Sequence, residues 1–397
     1  MGFWTLLKVA SMPAVQVLLI SILGACMATD YLKLLSADAR ISLNKIVFFV
    51  FTPSLVFTSL AQTVSFQDII TWWFMPVNIG ITFLVGGGLA WIAVKIIKPE
   101  PHIQNLVIAM SSAGNLGNIL LIIIPAICKE GGSPFGEKSV CSKVGLSYVS
   151  FSMALGAFYI WTYAYHLIRS AGVKYRAMQL IVDDRESTEE PNKDLEASNE
   201  DSLLLNGSHH KTESKDNPTM WNQILGISHK IWEELLSPPV VAAVIGLIFG
   251  GVTLLRNLII GDNAPLGVIQ DSIKLLGDGT IPSITLILGG NLTQGLRKAK
   301  LKPSVIITVI CVRYIILPVI GIGVVKAASH LGFLPSDPLF HFVLLIQFVL
   351  PPAMNIGTMT QLFDVAQAEC SVLFLWTYLV AALALTGWST VFMWLLT

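Results

Sequence analysis

The sequence predicts an all-α integral membrane protein with ten transmembrane helices, and three observations lead to this fold class. Hydrophobic residues make up 54% of the 397 residues and charged residues only 13%, about half the charged fraction of a soluble domain. Ten apolar runs follow one another, each close to the roughly 17–25 residues that a helix needs to cross a bilayer. Finally, similar motifs occur in the first and second halves of the chain.

The ten apolar runs form two groups of five. Nine runs contain no Asp, Glu, Lys or Arg, and the eighth is interrupted only by Arg313 and Lys326. The runs cover residues 9–29, 46–67, 69–94, 103–128, 144–168, 235–255, 279–296, 303–328, 342–363 and 370–397.

An acidic linker separates the two groups, so we expect a first repeat over 1–170, a linker over 171–236 and a second repeat over 237–397. Residues 183–218 hold 11 acidic and 4 basic residues and few aromatic ones. Such a segment buries too little apolar surface to fold by itself, which predicts disorder. A simple tether is the first interpretation, and a loop that binds regulatory partners is the alternative.

The distribution of basic residues predicts the orientation in the membrane. If the helices alternate in direction, 13 Lys and Arg residues fall on the face that holds the linker and 7 on the other. Because cytoplasmic loops are rich in Lys and Arg, we expect a cytosolic linker and both termini on the opposite side. Cys128 and Cys141 flank a loop on that opposite side, where a disulfide and two free thiols are both compatible with the sequence.

Two pairs of motifs indicate an inverted repeat. The motif TPSL at 52–55 resembles IPSI at 281–284, and GNLGN at 114–118 resembles MNIGT at 354–358, in the same order and with similar offsets. Each half has five helices, an odd number, so the second half must lie upside down relative to the first. Inverted repeats of this kind are the plan of many secondary transporters.

The fourth and ninth runs are predicted to be broken near their middle. Adjacent prolines remove two backbone donors within the ninth run, and glycines interrupt the fourth. Unpaired backbone groups are tolerated in a membrane only where they line a cavity or are covered by protein. We therefore predict a shared substrate site, with kinks that serve only helix packing as the alternative. Its predicted residues are Gly114, Asn115, Gly117, Asn118, Pro351, Pro352, Asn355 and Gly357, with walls at Pro53 and Pro282.

Charged residues within the apolar runs are few. Neither broken run contains Asp, Glu, Lys or Arg, which favours a neutral polar site whose helix N-termini attract an anion. Asp278 stands at the start of the seventh run and Arg313 lies inside the eighth. A structural charge pair between these two is the first interpretation, and a role in substrate binding or gating is the alternative. The runs show no nucleophile–base set, metal-ligand cluster or phosphate loop, so we predict no enzyme activity, no cofactor, no metal and no nucleic-acid partner.

Several stretches carry a family resemblance. WWFMPVN, SAGNLGN, IIIPAICKE and VLPPAMNIGTMTQLF resemble the PIN-LIKES family of plants, within the auxin efflux carrier superfamily. The resemblance implies that the fourth and ninth helices cross, that auxin (indole-3-acetic acid) is the substrate, and that the endoplasmic reticulum is the location. The chain departs from the efflux carriers at Gly117, where they have proline, and after Pro351, where it reads Pro352-Ala353-Met354.

The broken helices favour a carrier that works by alternating access. The resemblance implies that it carries auxin in the endoplasmic reticulum membrane and so controls the auxin available for nuclear signalling. Two alternatives stay open. One is a sodium-coupled organic-anion carrier that uses Gln347 and Asn355 as ion ligands. The other is a membrane receptor or scaffold that acts through the acidic linker. The expected partners are a small organic anion and the lipid bilayer, and a homodimer remains open.

Overall fold

The computed structural model describes residues 3–63, 66–129, 134–187, 237–261, 264–298 and 301–396. These residues form helices and, within those ranges, no β-strand. The prediction of an all-helical membrane protein is confirmed. Most of the predicted acidic linker, residues 188–236, and the side chain of Asn118 lie outside the described part.

The described residues of the first half form nine helices, because π-helical turns and breaks divide the predicted runs. The bounds are α1 Phe3–Met27, α2 Ala37–Ile46, α3 Thr52–Thr63, α4 Phe66–Thr71, α5 Phe74–Ile97, α6 Pro101–Ser112, α7 Asn118–Lys129, α8 Lys138–Tyr159 and α9 Tyr165–Ser187.

The second half also contains nine described helices. The bounds are α10 Pro238–Gly251, α11 Thr253–Ile259, α12 Gly267–Asp278, α13 Thr280–Lys298, α14 Pro303–Cys311, α15 Leu317–His330, α16 Pro338–Ile346, α17 Asn355–Leu362 and α18 Gln367–Leu396.

Three π-helical turns join consecutive helices into longer rods. They are Val47–Phe51 between α2 and α3, Ile160–Ala164 between α8 and α9, and Val312–Ile316 between α14 and α15. Within the described part, five rods or single helices are long and apolar enough to cross a membrane, and α10 with α11 makes a sixth if this pair, bent by 101°, is one span. The predicted count of ten spans in two inverted repeats therefore stays a prediction.

The seventh predicted run begins differently from the prediction. Asp278 does not start a helix, because α12 already covers Gly267–Asp278 and α13 follows after Gly279. Both α12 and α13 pack against helices that surround the candidate functional site. α12 and α10 pack on α3, and α1 packs on α13 and α18. Glycines allow the α1–α13 contact, since a Cβ at Gly24 would overlap the backbone of Leu286.

A disulfide joins Cys128 at the end of α7 to Cys141 at the start of α8, with Cα atoms 5.6 Å apart. It ties one half of a broken helix to the helix on which that half packs. The two cysteines are 13 positions apart, and closing a loop of this length stabilises a fold by about 3 kcal/mol.

Reduction of this disulfide is expected to lower the free energy of unfolding by about that amount, ~3 kcal/mol. Thermal unfolding of the purified protein with and without a reductant measures the effect. A Cys128→Ser/Cys141→Ser variant should have the melting temperature of the reduced wild type, and the reductant should not change it. Equal melting temperatures for oxidised and reduced wild type would show that the bond adds no stability.

Candidate functional site

The two broken helices meet at their breaks. α6 and α7 are separated by an extended stretch, as are α16 and α17, and the two stretches pair in antiparallel fashion around Gly114 and Pro352. The N–H of Asn115 donates to the carbonyl of Pro351 at 2.8 Å, and the N–H of Ala353 donates to the carbonyl of Ala113 at 2.9 Å. The predicted breaks and their crossing are both present, and two backbone hydrogen bonds join one break to the other.

Proline and glycine explain why the chain breaks here. Pro351 and Pro352 have no N–H, so they cannot continue the helical bonding of α16. Gly114 lies against a buried side chain, because a Cβ at this position would stand only 2.5 Å from Nη2 of Arg313. A larger residue would push the guanidinium away from the crossing.

Arg313 bonds to both broken helices at the crossing, and its side chain is fully buried (0% exposed). Nη1 donates to the carbonyls of Ser111 and Ser112, each at 3.3 Å, and Nη2 donates to the carbonyl of Pro351 at 3.2 Å. Ser111 and Ser112 end α6, where the unpaired carbonyls form the negative end of the helix dipole. The guanidinium therefore neutralises a helix C-terminus.

The predicted charge pair between Arg313 and Asp278 is wrong. Asp278 accepts a hydrogen bond from Lys274 at 2.9 Å on an exposed part of α12. A buried cation in a membrane protein often pairs with a carboxylate. Here, backbone carbonyls at a helix end supply the negative partial charges instead.

Asn115 is held by a tyrosine that the sequence argument missed. Its Nδ2 donates to the hydroxyl of Tyr378 at 2.8 Å, and that hydroxyl donates to the carbonyl of Pro352 at 3.1 Å. Tyr378 lies on α18 and is almost fully buried. The one signal in the sequence was a polar hydroxyl inside the apolar tenth run, which does not by itself indicate a partner.

A cavity of about 70 Å³ lies beside the crossing, between α3, α8 and α13. Apolar side chains such as Leu55, Met153 and Ile284 form most of its wall. The polar residues that line it are Thr52, Ser59, Asn115, Thr280 and Asn355. Its position at the crossing makes it the candidate substrate site.

The predicted site residues divide into three groups in the structure. Asn115, Gly117 and Asn355 line the cavity, while Gly114, Pro351 and Pro352 build the crossing beside it. The remaining predicted residues do not line this cavity. Pro282 lines a neighbouring cavity of about 340 Å³ that also contacts Asn115, Gly357 lines a small cavity along α17, and Pro53 lines none of these three.

The electrostatics of the cavity suit an anion. In the described part of the chain, none of the residues that line the cavity is charged. Three helices begin at its edge: α7 directly after Gly117, α13 at Thr280 and α17 at Asn355. A helix N-terminus is the positive end of the helix dipole, which favours carboxylates and phosphates. At α17 the N–H groups of Ile356 and Gly357 already donate to the carbonyls of Ala353 and Met354, so this helix offers its dipole rather than free donors.

Gln347 lies apart from this cavity. Its Oε1 accepts from Nδ2 of Asn78 at 2.8 Å, and its Nε2 donates to Oγ of Ser152 at 2.9 Å. Both ends of the amide are thus bonded in a buried network between α5, α8 and α16. This geometry does not place Gln347 and Asn355 in one ion site, as the sodium-coupled alternative requires.

Comparison with known proteins agrees with this architecture. The family described as "Membrane transport protein" matches residues 9–389. PIN-LIKES 7 of Arabidopsis thaliana is 60% identical over 396 residues, which cover 99% of each chain. The chain belongs to the PIN-LIKES family of membrane transport proteins. PIN-LIKES 5 of the same plant is 57% identical over the full length of both chains, and PIN-LIKES 3 is 44% identical over 97% of each.

Membership of the PIN-LIKES family settles the class of activity. The family consists of transport proteins rather than enzymes, as the sequence predicted. In this PIN-LIKES chain the crossing of two broken helices therefore lies in a protein that moves a solute through a membrane. The matched residues include both breaks and the whole cavity wall.

Proposed function

We propose that the chain carries an auxin-like organic anion, of the indole-3-acetic acid class, across the endoplasmic reticulum membrane. The observation that carries this proposal is the cavity at the crossing, where three helices begin at a mostly apolar, uncharged wall that holds a few hydroxyl and amide side chains. An amphipathic anion needs both features, because its carboxylate seeks donors and its ring seeks apolar contact.

The two parts of the ligand are assigned to different sides of the cavity. The carboxylate lies at the crossing, where the amides of Asn115 and Asn355 and the positive dipole ends of α7 and α17 are located. The aromatic ring lies against the apolar side chains of α3, α8 and α13. Arg313 adds a buried positive charge one layer behind the crossing, which further favours an anion.

Transport follows from alternating access in a ten-helix, five-plus-five inverted repeat. The crossing is a rigid unit because each break satisfies the other, so one bundle moves against the other around it. The cavity wall carries no carboxylate that takes up a proton at neutral pH. The flux therefore depends on the substrate gradient or the membrane voltage rather than on protons or sodium.

The proposed location is supported by the disulfide. The bond between Cys128 and Cys141 forms in oxidising compartments such as the lumen of the reticulum. This agrees with lumenal termini and a cytosolic central linker. Import of auxin into the reticulum lowers the amount that reaches the nucleus, which gives the carrier control over intracellular auxin accumulation and signalling.

Binding to the purified protein tests the proposed substrate class. Radiolabelled indole-3-acetate should bind saturably, and unlabelled 1-naphthaleneacetate should displace it because it combines a carboxylate with an apolar ring. The neutral analogue indole-3-acetamide should compete at least about tenfold more weakly, since hydrogen bonds to a charged group contribute about 1.5–3 kcal/mol. Equal competition by the acid and the amide would contradict an anion site.

A further inference from the structure

Two buried threonines stand out in the cavity wall because their hydroxyls have no partner. Thr52 is 1% exposed and Thr280 is 2% exposed. Neither Oγ1 atom has a hydrogen-bond partner in the part of the chain that the structure describes. A buried hydroxyl without a partner costs free energy, so each one requires an explanation.

Other threonines show that a partner is normally available. A threonine inside a helix usually donates to the carbonyl four residues earlier, as Thr82, Thr285 and Thr386 do at 2.7–2.9 Å. The cavity residue Ser59 likewise donates to the carbonyl of Leu55 at 2.7 Å. Thr52 and Thr280 make no such bond, and both stand at an irregularity of the backbone. Thr58 and Thr358 also lack a partner, but they lie inside helices and do not line the cavity at the crossing.

The backbone irregularities are of a kind often found at functional sites. Thr52 follows directly after the π-helical turn Val47–Phe51 and precedes Pro53. Thr280 is the first residue of α13, immediately after the break at Gly279. Both positions therefore lie where regular helical bonding is interrupted, and π-helical turns frequently mark functional sites.

Thr52 and Thr280 also both line the cavity at the crossing. Several buried hydroxyls in the described residues have no partner, and Thr52 and Thr280 are those that line the cavity at the crossing. They come from α3 and α13, the two helices that carry the matching Pro-Ser motifs of the repeat. Thr280 also stands at a helix N-terminus, where an anion is favoured.

We infer that the hydroxyls of Thr52 and Thr280 donate hydrogen bonds to the carboxylate of the carried anion. This inference rests on the proposed function and assigns two specificity-determining residues to the same site. A carboxylate has about four lone-pair sites, so it has room for these two donors in addition to Asn115 and Asn355. These hydroxyls break no existing hydrogen bond when they turn towards the carboxylate, because they lack partners in the described residues.

Binding by valine variants tests the inference. Valine keeps the shape of threonine and removes the hydroxyl, so Thr52→Val and Thr280→Val should each weaken the binding of radiolabelled indole-3-acetate about tenfold. The preference for indole-3-acetate over indole-3-acetamide should shrink in the double variant. The melting temperature without ligand should stay unchanged or rise, because valine removes a polar group that had no partner. A lowered melting temperature would instead show that the hydroxyls stabilise the fold.

Two further variants make the result decisive. Thr386→Val makes the same chemical change on α18 outside the cavity and should bind with wild-type affinity. Loss of binding by Asn115→Ala together with wild-type affinity in both threonine variants would overturn this inference and leave the proposed function standing. Absence of saturable binding by the wild-type protein would contradict the proposed function and the inference with it.

Discussion

Replacement of Arg313 by methionine is expected to destabilise the protein by about 3 kcal/mol or more and to abolish transport. Methionine fills a similar volume but removes the donors to the carbonyls of Ser111 and Ser112. The carbonyl of Pro351 loses Nη2 but keeps the N–H of Asn115 as a donor. Each buried acceptor left unpaired costs roughly 1–3 kcal/mol. Release of the desolvation cost of the buried guanidinium offsets part of this loss.

A matched variant separates this effect from the loss of any arginine. Arg256 also donates to a backbone carbonyl, that of Gln62 at 3.1 Å, but it is only partly buried and lies outside the crossing. Arg256→Met should therefore change the free energy of unfolding by less than about 1 kcal/mol. Thermal unfolding in detergent and flux in proteoliposomes measure both variants. Similar results for the two would mean that Arg313 does not hold the crossing together.

Conversion of Asn115 to aspartate is expected to reduce the affinity for indole-3-acetate on the order of a hundredfold or more. The substitution keeps the shape of the side chain and places a negative charge where the carboxylate is proposed to bind. Two like charges about 4 Å apart repel by about 4 kcal/mol at an effective dielectric constant of ~20. The variant also replaces the donor to Tyr378 with an acceptor, so the tyrosine hydroxyl must turn from Pro352 towards the new carboxylate.

The control for Asn115 is the same chemical change at an exposed position. Asn257 lies on α11, in a surface groove away from the crossing, and Asn257→Asp should bind with wild-type affinity. Equilibrium binding of the radiolabelled acid to purified protein gives both values. An Asn115→Asp protein that binds the acid as well as the wild type would move the anion site away from the crossing.

The sequence predicted the parts of the fold that depend on hydrophobicity and on proline. Apolar runs of membrane length lead directly to helices, and prolines in the middle of the ninth run indicate a break. The matching glycine–asparagine motif locates the second break. Asn115 and Asn355 were predicted as residues of the substrate site, because an amide side chain inside a broken membrane helix has few roles other than binding a substrate.

The features that the sequence did not predict depend on contacts between distant helices. Arg313 was assigned the wrong partner because helix C-termini acquire negative charge only once the helices form and meet. Tyr378 supports Asn115 from 263 positions away. Thr52 and Thr280 look like ordinary helix residues until their bonding is examined in three dimensions. These are tertiary properties, and no local pattern of residues specifies them.

Flux of radiolabelled indole-3-acetate into proteoliposomes tests most directly whether an anion passes through the crossing. The wild type is compared with an Asn115→Ala/Asn355→Ala variant, with and without a sodium or proton gradient. We predict saturable flux that needs neither gradient and falls at least about tenfold in the variant, because two cavity amides are removed. Flux that is absent in the wild type, or equal in both proteins, would contradict a carrier that works through this site.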